Sequence, residues 1–171
     1  MGDMSSKNVL DYVNFKIIDI LNKNSSVPFV ELAKQIGISD ATVHARVKKL
    51  ISMGIIKKFS IFVDNNLIGY DHLAFIMVKV EKGKADQAVM VLETIEEILE
   101  IHEIYDKFDL LVKIRAKSLN NMRDTIVNKI LTISFVKEIE LMTVLRTRKE
   151  EQMVSLRSDL YEKSKDFFGL G

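Results

Sequence analysis

The chain has 171 residues, with 25 lysines and arginines against 24 aspartates and glutamates, and a formal net charge of +1. Hydrophobic residues make up 47 % and charged residues 29 %, the balance of an ordinary soluble globular protein of one or two domains. Without cysteine there are no disulfides, thiolate zinc sites or cysteine nucleophiles, and charges interrupt every apolar run before it could span a bilayer.

The opening stretch, MGDMSSKNVLDYVN, lacks the apolar core of a secretory leader, so the chain is expected to stay in the cytoplasm. Asp11 to Asn22 places Phe15, Ile17, Ile18 and Leu21 at helical spacing, and a polar turn follows from Asn22 to Ser26. Pro28 suits the start of the next helix, where its missing donor leaves nothing unsatisfied. The run FVELAKQIGISDATVHARVKKL, Phe29 to Leu50, is the most informative part of the chain. Its first segment carries Leu32, Ala33 and Ile36 on one stripe, and its second carries Val43, Val47 and Leu50 at i, i+4 and i+7. Gly37 suits a left-handed helix end, and Ser39 suits an N-cap. Two short helices joined through such a turn form a helix-turn-helix.

The outward face of the second helix then carries Ala41, Thr42, Ala45, Lys48 and Lys49, with His44 and Arg46 on its flanks. Small side chains near its start allow close approach to base edges, and Thr42 can donate, accept or touch a thymine methyl. The basic residues lie nearer its end, where phosphates would be met. The competing reading is a core helix pair with a solvated basic face. Charge favours DNA: Met1 to Asp64 holds 9 Lys/Arg against 6 Asp/Glu (+3), Asn65 to Arg148 holds 12 against 13 (−1), and the tail holds 4 against 5 (−1). Arg46, Lys48, Lys49, Lys57 and Lys58 form the local patch expected of a nucleic-acid binder. The candidate DNA-contacting set is therefore Ser39, Ala41, Thr42, His44, Ala45, Arg46, Lys48, Lys49, Lys57 and Lys58.

After Met53-Gly54 the period changes. Ile55 to Val63 is predicted as a strand on the alternation of Phe59, Ile61 and Val63, and Asp64 to Asp71 as a turn-rich connector. Strands are then expected at His72–Val80, Leu99–Tyr105, Asp109–Arg115 and Phe135–Leu145, with helices at Asp86–Ile95 and Leu119–Leu131. The order βαββαβ is the ferredoxin-like arrangement. One face of its sheet is covered by the two helices; the other, assigned Phe75, Met77, Leu111 and Leu141, needs a partner subunit to bury it. The fold class is thus α+β, with domains at 1–64, a winged-type helix-turn-helix with its linking strand, and 65–148, the βαββαβ unit. A C-terminal extension, 149–171, carries Met153, Leu156, Leu160 and Phe167 on an amphipathic helix expected to pack on an oligomer surface.

The run VHARVKKLISMGIIKKFSIFVDNNLIGY, between a helix-turn-helix and a βαββαβ domain, resembles the Lrp/AsnC family of feast/famine transcription regulators. The similarity covers about Asp11 to Arg148, and its most specific part is the Gly-Ile-Ile-Lys step, the strand, an Asp and the Leu67–Gly69 turn. It implies a DNA-binding regulator with an ACT-like (RAM) second domain, homodimers often assembled into octamers, and an amino-acid effector bound near the second domain's hairpin. The candidate effector residues are Tyr105, Asp106, Lys107, Phe108 and Asp109. Asp106 stands where the family usually has glycine, so either a different ligand binds, its ammonium facing Asp106 or its carboxylate facing Lys107, or the turn is a plain solvated one.

No cofactor, metal or membrane partner is expected. His44, His72 and His102 sit on separate elements, and Glu93, Glu96, Glu97, Glu100, Glu103 and Asp106 read as a solvated acidic face that repels DNA from the second domain. No hydrolase triad order, phosphate loop or HExxH occurs, so the chain reads as no enzyme. The alternatives are an enzyme resembling the siroheme decarboxylases, which share this fold, and an architectural DNA-binding protein without an effector.

Overall fold

A computed structural model describes Leu10 to Phe168; most of the stretch read for a leader lies outside the described residues. The chain divides into two compact units, Met1–Phe62 with Glu150–Gly171, and Val63–Lys149.

The first unit holds α1 (Tyr12–Lys23), α2 (Phe29–Ile36), α3 (Asp40–Ser52) and α6 (Arg157–Phe168). Local chemistry marks where each of the first three begins, and where α2 ends. The Asp11 carboxylate accepts from the Asn14 N–H at 2.8 Å and caps α1. Pro28 precedes α2 with φ −61°, already near helical φ. Gly37 ends α2 with φ +80° in the left-handed region, its N–H donating to the Ala33 carbonyl. Ser39 Oγ accepts from the Thr42 N–H at 3.1 Å to start α3. The apolar stripes meet in one core of Val13, Ile17, Leu21, Leu32, Ala33, Val43, Val47 and Leu50.

Two expectations for this unit are corrected. Residues 55–63 form no strand. Ile55 and Ile56 both donate to the Leu50 carbonyl, and beyond them no described strand pairs with the segment. Period-2 alternation cannot make a strand without a neighbour for its N–H and C=O groups, and Phe59, Ile61, Phe62 and Val63 are all exposed. The tail helix begins at Arg157 rather than near Glu150, leaving Leu156 just before it as the buried anchor. Within the chain it lies against α1: Phe167 stacks on Tyr12 with centroids 5.0 Å apart, and Phe168 meets the same ring edge-on at 5.8 Å.

The second unit is a four-stranded antiparallel sheet in the order β2-β3-β1-β4, built from β1 (His72–Val80), β2 (Ile98–Glu103), β3 (Leu110–Ala116) and β4 (Val136–Thr143). Helices α4 (Ala85–Leu92) and α5 (Leu119–Thr125) complete the βαββαβ order, α5 continuing as a π-helical turn, Ile126–Ile130, within the single helix expected there. Alternate residues of the central strands, Ala74, Ile76, Val78 and Val80 with Leu110, Val112, Ile114 and Ala116, pack under Ala88, Leu92, Met122 and Ile130. The opposite face presents Phe75, Met77 and Leu111, with Met142 beside Phe75. Leu141 was assigned to that face, but the register pairs it with Ile76, on the helix side. Pairing register decides which alternate set of β4 shares a face with Phe75, and a run in which Leu141 and Met142 are both apolar does not reveal it.

Candidate nucleic-acid interface

Burial along α3 has one period. Val43, Val47 and Leu50 are buried, Ala41, His44, Ala45, Lys48 and Lys49 are exposed, and Thr42 and Arg46 lie between. Nine of the ten expected residues fall into four groups, and Arg46 stands apart. Ser39 is spent on the cap, and its hydroxyl also lies 2.7 Å from Thr42 Oγ1, so Thr42 presents its methyl group and its remaining hydrogen-bonding capacity outward. Ala41 and Ala45 leave room for a groove floor. His44 lies edge-on to Phe29 at 4.8 Å and 3.7 Å from Asp40, which places it at the rim. Lys48 and Lys49 are exposed at the end of α3, and Lys57 and Lys58 are exposed on the segment that follows it.

Arg46 departs most from the sequence reading. Its Nη1 donates to both Asp11 oxygens, at 2.9 and 2.6 Å, and to Asn14 Oδ1 at 3.0 Å. It thereby ties the recognition helix to the start of α1, and a residue grouped with phosphate-binding lysines has its charge balanced within the unit. Asp11 and Asn14 join Ala41, Thr42, Ala45, Arg46 and Lys49 around a cleft of ≈ 550 Å³ on this face. Neither was expected there. The only trace in the sequence is an Asp-x-x-Asn cap at α1, and contacts 35 and 32 residues apart are invisible to local pattern.

In the second unit the expected effector turn splits up. Phe108 is buried, 2 % exposed. Asp109 is committed to the fold. Its carboxylate accepts from the Val80 N–H at 2.9 Å and from Lys79 Nζ at 3.1 Å, and the backbone hydrogen bond, aided by the lysine, holds it below the usual aspartate range against the opposing effect of burial. Lys107 reaches Glu138 on β4 at 2.9 Å, and that hydrogen bond holds its ammonium above its ordinary range. Tyr105 and Asp106 remain exposed and uncommitted. The acidic series is likewise partly engaged. Glu97 receives Lys129 at 2.8 Å, and Glu100 receives Lys113 at 2.9 Å and lies 3.2 Å from His102. Among the described residues no cluster of three His, Asp or Glu side chains is arranged to hold a metal ion, and no helix is long and apolar enough to cross a membrane.

Residues 10–57 match a family model described as winged helix-turn-helix DNA-binding, and residues 73–154 match the Lrp/AsnC ligand binding domain. The chain belongs to the Lrp/AsnC family. Among Lrp/AsnC relatives, the HTH-type transcriptional regulator FL11 of Pyrococcus furiosus is 38 % identical over 147 residues, covering 84 % of this chain and 95 % of that one. The regulatory protein AsnC of Escherichia coli is 30 % identical over 81 % of this chain and 91 % of its own. The solved E. coli AsnC structure superposes with a TM-score of 0.79, covering 84 % of this chain and 97 % of that one at 28 % identity. A transcriptional regulator from Neisseria meningitidis, solved as a complex with L-methionine, shares the fold at a TM-score of 0.77 and 22 % identity, over 87 % of this chain and 98 % of that one. This Lrp/AsnC protein is a DNA-binding transcriptional regulator with a ligand-binding domain. Helix α6 lies beyond both matched regions.

Proposed function

We propose that the chain reads specific DNA sequences through α3, as a homodimer or a larger assembly such as an octamer, under control of an amino-acid-class effector. The observation that carries the DNA part is the single exposed face of α3, with small residues and Thr42 at one end and Lys48 and Lys49 at the other. Small residues admit base edges and lysines neutralise phosphates, so specificity and affinity are divided along one helix. Lys57 and Lys58 extend the phosphate-binding track. Lys48→Ala and Lys49→Ala should each weaken binding to all duplexes alike and lower the salt slope by about one unit. Mobility-shift titrations over a range of salt concentrations measure this, and an unchanged slope with both lysines removed sinks the placement.

The effector reading rests on Tyr105 and Asp106, the two turn residues without a structural task. Asp106 offers a carboxylate to an amino-acid ammonium, whereas Lys107 would have to leave Glu138 to meet a carboxylate. The likeness to a regulator crystallised with L-methionine supports the ligand class, not that ligand. Calorimetry across the free amino acids should show a response that Asp106→Gly alters; an identical response in the variant removes the turn from the pocket. The open sheet face of Phe75, Met77, Leu111 and Met142 is the surface for a second copy.

A further inference from the structure

The clamp on Arg46 uses only one of the three guanidinium nitrogens. Nη1 takes all three acceptors from Asp11 and Asn14. Nε and Nη2 have no partner among the described residues, and together they form one of the two forked edges of a guanidinium. Arg46 lines the same cleft as Ala41, Thr42 and Ala45, the small-residue part of α3. We infer that Asp11, assisted by Asn14, is a positioning residue that holds Arg46 so that its remaining Nε/Nη2 edge reads the O6/N7 edge of a guanine in the major groove. This rests on the DNA-reading function proposed above and assigns a specificity role to two residues of α1, outside the recognition helix.

Three physical points carry it. An arginine clamped at one nitrogen has already lost most of the rotamer freedom that binding would otherwise remove, so its fork is preorganised. The Asp11 carboxylate cancels the charge locally, which makes the pair a poor attractor of phosphate and leaves directional hydrogen bonding as its main contribution. Asn14 is 5 % exposed, and its side chain accepts from the guanidinium while its own N–H donates to Asp11. The three residues therefore form a closed triangle instead of a loose surface ion pair.

Asp11→Asn separates positioning from structure, because asparagine caps a helix as well as aspartate does yet replaces the charged acceptor. Selection of bound sites from random duplexes, with the full-length chain, reads base preference, and competition with bulk duplex reads non-specific affinity. The wild type should enrich a guanine at symmetry-related positions. Asp11→Asn should bind bulk duplex more tightly, having lost a negative charge, while its preference for that guanine falls about tenfold. Arg46→Lys, which keeps the charge but not the fork, should lose the same preference with little change in salt slope. If Asp11→Asn and Arg46→Lys both retain the wild-type preference at every position, the inference is overturned while the DNA-reading function stands. A wild type that selects no sequence overturns both. Should Asp11→Asn melt early, Arg46→Lys decides alone: a retained guanine preference overturns the inference, and its selective loss upholds the fork.

Discussion

Gly37 is the residue on which the angle between α2 and α3 turns. Its φ of +80° lies where a β-carbon clashes with its own backbone, yet the space around it is open, with nothing within 4 Å of where a β-carbon would stand. The strain of a side chain there is thus intrinsic to the backbone. Gly37→Ala should lower stability by about 1–2 kcal/mol and Gly37→Asn by less, since asparagine tolerates the left-handed region. Urea denaturation measures the difference; equal losses in the two variants would mean that another feature sets the turn. Both Gly37 and the Ser39 cap were legible in the sequence, because each acts on its own neighbours. Arg46 was not. Its partners depend on where α1 starts in space, so a basic residue on a basic helix read as one more phosphate contact.

Among the elements, α6 is the addition to a shared plan. It has no buried residue of its own, and it is held by Leu156 before it and by the aromatic contacts of Phe167 and Phe168 with Tyr12. Each such ring pair contributes about 0.5–1.5 kcal/mol beyond the area it covers. Tyr12 follows Asp11, the cap of α1 and the clamp of Arg46, so α6 braces the end of α1 that faces the cleft. Removing residues 150–171 should lower the melting temperature of the DNA-binding unit by several degrees and be mimicked in part by Tyr12→Ala; unchanged calorimetric melting would show that α6 adds nothing. The predicted strand at 55–63 failed for the opposite reason. Its residues have the right alternation, but a strand is a property of two segments, and the described residues hold no partner for it.

For the whole molecule, the open face of the sheet sets the expectation. Phe75, Met77 and Leu111 are half-buried and Met142 is exposed, with Lys113 opposite Phe75 and Glu140 opposite Met77 on the same face. A largely apolar sheet face left open on the side away from the helices is a surface suited to a subunit contact. Met77→Glu would set a second carboxylate directly opposite Glu140 on that face. Sedimentation of the variant should then give the mass of one chain, 19.6 kDa, where the wild type gives a multiple of it. A variant that sediments with the wild type would move the interface elsewhere.

By itself the sequence determined the alternating strand and helix signals from His72 onward that mark the βαββαβ half, the cap and turn of the helix-turn-helix, and which side of α3 faces outward. All of these follow from contacts within four residues or from a fixed repeat, so one strand of text contains them. Tertiary structure alone decided that Arg46 answers to Asp11 and Asn14, that Phe108 is buried and Asp109 bonds to Val80 and Lys79, that Leu141 lies on the helix side of the sheet, and that the tail returns to α1. Each of those outcomes depends on which distant residue is near enough to share a hydrogen bond or bury a ring, and separation along the chain says nothing about that distance.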